Sequence, residues 1–239
     1  TATLVVTSFN KVTEVRTIDI IPANGAYLTY GGFAVSDDNG QADYGETVDV
    51  MVTIKNIGNE AASNVQVTLS SDTPSIEVVG NSAVIPSLAA MSTYNITNGF
   101  RIAVNDDIVD GTVANLSLTC TDGSNTWTSQ FRMTLHAPAF ALAEFRPVST
   151  VNPGEDGQLL VGVRNIGSSA AHNARMQLYN STTDLTFGQT IYSMGDIPAG
   201  GVATLTVPFA TSAQLGSNSS MEVFYLMEAL QYSIQGVEL

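Results

Sequence analysis

The chain has one cysteine, two histidines, one tryptophan and only eight lysines and arginines among 239 residues. Each shortage excludes something. A single cysteine, Cys120, cannot form an intramolecular disulfide, so the fold must be held by its core. One cysteine and two histidines, His136 and His172, cannot build a closed zinc site. Eight basic residues against 22 acidic ones give a net charge of −14, which excludes the basic surface that nucleic acid requires and disfavours anionic lipid. No apolar run approaches the roughly 20 residues of a membrane span, so no membrane insertion is expected. The first residues lack the layout of a signal peptide, and a start at Thr1 is expected of a mature or excised product. Charged residues make up 13%, well below the roughly 25% usual in soluble domains, and Thr, Ser, Asn and Gly fill the gap. That composition fits a β-rich extracellular protein.

Catalytic signatures are also missing. There is no G-x-S-x-G elbow, no G-x-G-x-x-G and no P-loop. Cys120 continues the alternation Ala114, Leu116, Leu118 and so reads as a core residue of a strand rather than as a nucleophile. His136 is placed at a strand end and His172 in a loop. No catalytic residue is assigned, and the chain is read as non-enzymatic.

What is present is a repeat. Gly45-Glu46 recurs as Gly154-Glu155, and Lys55-Asn56-Ile57-Gly58 as Arg164-Asn165-Ile166-Gly167, both 109 residues on. Asn64, Leu69, Leu88 and Phe100 recur at the same spacing as Asn173, Leu178, Ile197 and Phe209. Val48, Val50, Val52 and Ile54 alternate with more polar residues, the pattern of a half-buried strand. Val113–Thr121 and Trp127–Leu135 read as a hairpin across Asp122-Gly123-Ser124-Asn125. Similar short runs, punctuated by Gly, Pro and Asn, predict an all-β chain of two tandem immunoglobulin-like β-sandwiches preceded by an N-terminal β-hairpin. The expected divisions are 1–26, 27–137 and 138–239. The second copy should end in a hairpin, Met221–Met227 with Gln231–Glu238. In the first division, Leu4, Val6, Ile18 and Ile20 would leave an apolar face in water, so the hairpin is expected to pack on the first sandwich or on a second copy.

One loop stands out chemically. Asp37, Asp38, Asn39, Asp43 and Glu46 place five oxygen-bearing side chains within ten residues, and Gln41 can add a carbonyl. Ca²⁺ takes six to eight such oxygens, which makes it the candidate cofactor. An acidic, solvated turn is the alternative. At the 109-residue spacing Asp37, Asp38 and Asn39 would become Arg146, Pro147 and Val148, and Asp43 would become Asn152, so only the first copy should bind. The second acidic stretch, Asp106-Asp107-Ile108-Val109-Asp110-Gly111, reads as a solvated loop. Four N-x-[ST] sequons, at Asn95, Asn115, Asn180 and Asn218, match what chance gives in so Asn-, Ser- and Thr-rich a chain.

Residues Ser8-Phe9-Asn10-Lys11 and Arg16-Thr17-Ile18-Asp19-Ile20-Ile21-Pro22 resemble the end of the immunoglobulin-like domain that follows the catalytic domain in gingipain-type cysteine peptidases. Asp37 through Val48 and then Lys55-Asn56-Ile57-Gly58 resemble the downstream sandwich repeats of those proteins, which are similar to bacterial cell-adhesion-related (CARDB-like) domains. The resemblance implies that the hairpin is the tail of a preceding immunoglobulin-like domain. It further implies a secreted or cell-surface bacterial protein and an upstream catalytic domain as partner. The family's catalytic Cys and His have no counterpart here. Two functions follow: a spacer or interaction module of the peptidase, or an adhesion module for a protein or glycan ligand. Tyr27, Tyr30, Phe33 and Tyr44 are the aromatic candidates for such a ligand, with Trp127 read as core.

Overall fold

The computed structural model describes residues 2–18, 24–216, 222–229 and 232–238. Among them every regular element is a strand. A hairpin comes first, β1 (Ala2–Val6) with β2 (Glu14–Ile18). The first sandwich contains β3 (Leu28–Ser36), β4 (Ala42–Asp43), β5 (Thr47–Asn56), β6 (Ala62–Ser71), β7 (Ile76–Leu88), β8 (Ser92–Val104), β9 (Val113–Thr121) and β10 (Thr126–His136). The second contains β11 (Phe140–Pro147), β12 (Asp156–Asn165), β13 (Ala171–Asn180), β14 (Leu185–Phe187), β15 (Ile191–Ile197), β16 (Val202–Thr211), β17 (Val223–Ala229) and β18 (Tyr232–Glu238).

In the first sandwich β3-β5-β8-β7 form one layer and β7-β6-β9-β10 the other, with the long β7 passing between them. The short β4 adds to β10 in parallel. The second sandwich keeps this plan as β11-β12-β16-β14 and β15-β13-β17-β18. Here the counterpart of β7 is broken at Gly188, so each layer receives its own short strand.

The repeat is visible residue by residue. β12 and β13 begin and end 109 residues after β5 and β6, and the pair Ala62–Leu88 recurs as Ala171–Ile197. Asn64 and Asn173 both adopt positive φ, 52° and 49°, a conformation asparagine tolerates better than most side chains. The spacing changes at the first strand. Leu28 lies opposite Asn56 but Phe140 opposite Asn165, a separation of 28 residues against 25, so the first copy has three extra residues between its first two long strands. Those residues fall in the acidic loop. Arg146, Pro147 and Val148 are therefore not the counterparts of Asp37, Asp38 and Asn39, as the uniform spacing implied.

The alternation of β5 buries Val48, Val50, Val52 and Ile54 against Val65, Val67 and Leu69 of β6 and Leu116 and Leu118 of β9. The Lys/Arg-Asn-Ile-Gly repeat is more than a turn. Asn56 is 1% exposed, donates its amide to the carbonyls of Glu60, Leu88 and Ala89, and accepts from the N–H groups of Tyr27 and Gly58. Asn165, 0% exposed, repeats the arrangement with Ser169, Ile197, Ala139 and Gly167. One buried amide thus pins the first strand, the β5–β6 turn and the end of β7 together. The glycine that follows is sterically required, because a Cβ on Gly58 would lie 2.2 Å from the Gly25 carbonyl oxygen.

Of the two packings expected for the hairpin, on the first sandwich or on a second copy, the structure bears on the first. Both strands are exposed along their length and do not pack on the first sandwich. The register supplies the reason: Leu4 stands opposite Arg16 and Val6 opposite Glu14, so charge interrupts the face that would have been apolar. Arg16 and Glu14 pair with each other at the surface. Ile20, Ile21 and the rest of 19–23, together with Asn218, Met221 and Gln231, lie outside the described residues.

Candidate functional site

Cys120 points inward from β9, 2% exposed, and burial pushes its thiol up to about 11. A thiol that stays protonated at neutral pH and has no histidine beside it is a packing group, not a nucleophile. Tyr30 and Phe33 of β3 pack on Phe131 of β10, with ring centroids 4.6 and 5.4 Å apart, and close one edge of the sandwich. Tyr44 is buried, Trp127 is half-buried against the core, and only Tyr27 is half open to solvent. These aromatics do not converge on one exposed loop cluster.

A polar network lies where the two sandwiches meet, and the sequence placed only parts of it. Three residues, Ala137-Pro138-Ala139, link β10 to β11, and Ala137 is fully buried. Asp110, in the loop before β9, accepts from the N–H of Ala137 (3.0 Å) and from the N–H of Ser168 (3.2 Å). The Ser168 hydroxyl also donates to Asp110. His136 Nδ1 lies 2.7 Å from the Ser168 oxygen. Ser169 N–H donates to the Ala137 carbonyl (3.3 Å), and the Tyr44 hydroxyl to the Ala170 carbonyl (3.4 Å). A Cβ on Gly167 would lie 2.3 Å from the Ala137 oxygen, so the turn of the second sandwich sits directly on the linker. Burial pushes the Asp110 carboxyl up, but the Ser168 and Ala137 hydrogen bonds and nearby His136 outweigh it and hold the group below its ordinary value. The stretch read as a solvated loop is therefore anchored, by Asp110 across the joint and by Ile108, 4% exposed, in the core.

Ser, His and Asp are all present here, but in the wrong order for nucleophilic catalysis. In a triad the histidine accepts the serine proton and the acid orients the histidine. Here Ser168 stands between the other two and gives its only proton to Asp110, leaving His136 Nδ1 to donate to the serine oxygen. The constellation binds domains; it does not activate a hydroxyl.

The acidic loop lies beside this joint. Asn39 Nδ2 donates to Asp43 Oδ2 (2.8 Å), Gln41 N–H to Asn39 Oδ1 (2.7 Å), and Asn39 N–H to Asp37 Oδ2 (3.4 Å). Asp43 N–H donates to Glu46 Oε2 (3.3 Å), while β4 ties the loop to β10. Asp38 is exposed and stands apart from these contacts. Burial, and then the Asp37 and Asp43 charges, push the Glu46 carboxyl up against the opposing pull of the Asp43 N–H and of His172. His172 belongs to β13, not to a loop, and faces Asp196 at 3.4 Å. Among the described residues no three His, Cys, Asp or Glu side chains stand together as a ready metal cluster.

A polar groove of about 520 Å³ crosses the outer face of β9 and β10, lined by Asp72, Asn115, Ser117, Gln130, Phe131 and Arg132. Nothing in the sequence marks it, because its residues come from three separate segments and, apart from the core residue Phe131, alternate with core positions.

Residues 33–126, most of the first sandwich, match the CARDB family, adhesion-related and non-catalytic domains. No curated protein matches the chain in sequence. Among solved structures it is similar to red sea bream transglutaminase, with 12% identity, a TM-score of 0.35, and coverage of 90% of this chain and 30% of that one. It is also similar to E. coli alpha-2-macroglobulin, with 9% identity, a TM-score of 0.33, and coverage of 95% and 17%. A Porphyromonas gingivalis W83 protein of unknown function gives 14% identity, a TM-score of 0.26, and coverage of 88% and 94%. The chain thus spans under a third of the transglutaminase and of the alpha-2-macroglobulin chains.

Proposed function

We propose that the chain is a non-catalytic spacer: two immunoglobulin-like sandwiches fixed end to end that set the distance between neighbouring parts of a secreted or surface protein. The joint carries this reading. A three-residue linker with a buried alanine and a proline, locked by Asp110 to Ser168 and by Tyr44 to Ala170, restricts hinge motion. Flexible tandem domains are the default when little crosses the boundary, and here a contiguous network crosses it. The bacterial peptidase context, with an upstream gingipain-type catalytic domain as partner, is supported by the resemblance of residues 8–22 and 37–58. Small-angle X-ray scattering of the whole chain tests the spacer. One rigid arrangement should fit the wild type, and Asp110→Ala combined with Ser168→Ala should require a spread of arrangements. A wild type that already needs an ensemble refutes it.

The groove on β9 and β10 favours a second reading, an adhesion module. Asp72, Asn115, Gln130 and Arg132 offer donors and acceptors suited to a glycan or a peptide main chain. Binding of the chain to an array of glycans and matrix proteins, lost in Arg132→Ala, would establish it, and binding unaffected by that change would place the ligand elsewhere.

A further inference from the structure

The two copies disagree at one pair of residues, and the disagreement points to a ligand. In the second sandwich Asn152 gives both its main-chain N–H (3.1 Å) and its side-chain Nδ2 (3.0 Å) to Glu155 Oε2. In the first sandwich the main chain repeats this, with Asp43 N–H donating to Glu46 Oε2. The side chain does not, because position 43 carries a carboxylate and has no proton to give. Asp43 is 7% exposed; its Oδ2 is satisfied by Asn39, but its Oδ1 is buried and without a hydrogen-bond partner. No lysine or arginine among the described residues pairs with Asp43 or Glu46. The groups that face Glu46 are Asp37 and Asp43, with His172 the one group of the opposite kind. A buried carboxylate oxygen without a partner, set beside a second carboxylate, calls for a positive charge. The three extra residues of this copy extend the loop around that position, and Gly40 turns it at a φ of +72°.

We propose that the first sandwich binds one Ca²⁺ between Asp43 and Glu46, and that the second sandwich, with Asn152 in place of the aspartate, binds none. Two carboxylates cannot complete the shell, so amide or main-chain oxygens of the loop and water supply the remaining ligands. Carboxylate, amide and main-chain oxygens suit Ca²⁺, which tolerates irregular geometry, better than Mg²⁺, which demands strict octahedral geometry, or Zn²⁺, which prefers nitrogen and sulfur. So few carboxylates place the affinity in the range of extracellular modules, roughly 10⁻⁴–10⁻³ M. The site does not depend on the spacer reading.

Thermal unfolding of the whole, chelator-treated chain in 0 to ~10 mM CaCl₂ at constant ionic strength, with MgCl₂ as control, tests the site. Wild type should gain about 5 °C in one unfolding transition. Asp43→Asn, which installs the second copy's own residue, and Glu46→Gln should each lose that gain. Without Ca²⁺, Asp43→Asn should melt at or above the wild type. A wild type unresponsive to Ca²⁺ overturns the site, and stabilisation of that unresponsive chain on acidification would assign the pair to a shared proton instead. Variants that respond as fully as the wild type overturn it equally.

Discussion

Truncating Asn165 to alanine removes four hydrogen bonds at once. Ser169 and Ile197 lose a donor to their carbonyls at 2.8 and 3.0 Å, and Ala139 and Gly167 lose the acceptor of their N–H groups at 3.2 and 3.0 Å. A satisfied hydrogen bond contributes about 1 kcal/mol net, whereas a buried group left unpaired costs roughly 1–3 kcal/mol. The site is 0% exposed, so water cannot replace the amide without opening the turn. Crediting partial relaxation, the loss should be ~3–5 kcal/mol, a large share of the 5–15 kcal/mol that a domain possesses. Chemical denaturation followed by tyrosine and tryptophan fluorescence is the assay. The transition of the second sandwich should move to lower denaturant with its slope unchanged, while that of the first, which holds Trp127, stays in place. Asn165→Asp separates hydrogen bonding from packing. The shape is kept, but an oxygen now faces the Ser169 and Ile197 carbonyls, so this variant should lose at least as much. A loss below about 1.5 kcal/mol for Asn165→Ala would refute the reasoning.

Gly58→Ala should destabilise the first sandwich by about 1–3 kcal/mol, because its Cβ would stand 2.2 Å from the Gly25 carbonyl oxygen; an unchanged melting temperature would contradict this. Asp110 has a depressed carboxyl, so its contribution is present above the ordinary carboxylate range and is lost as pH falls through the lowered folded value. The joint should therefore hold from neutral pH down to about pH 4 and loosen below it, as read by scattering across that range. Cys120 should resist a thiol reagent at pH 8 until denaturant is added, since its buried thiol is pushed up to about 11; fast labelling of the native chain would show that the strand opens.

The fold was legible because strand alternation and a repeat both report burial directly. β5 and β12 fall where Val48 to Ile54 and their counterparts placed them, and Cys120 lies on the face that its neighbours indicated. What the sequence did not carry was pairing between distant segments. Asp110 looks like any solvated acid until the fold sets it against Ser168, 58 residues away. Asn56 and Asn165 look like turn residues, because a turn and a buried three-way staple use the same side chain. The hairpin is present as expected, but its lack of packing on the first sandwich was not legible: the register sets Arg16 and Glu14 across from the aliphatic residues. The acidic loop was legible as a composition, but the unpartnered Asp43 oxygen and the contact that Asn152 makes in its place were not.

The central claim is that two sandwiches behave as one body. Residual dipolar couplings measured for backbone amides throughout the wild-type chain test it most directly, through the alignment tensor each sandwich reports. The account predicts tensors of equal magnitude and common orientation, diverging when Asp110 and Ser168 are replaced by alanine. Tensors that already differ in magnitude in the wild type would contradict it.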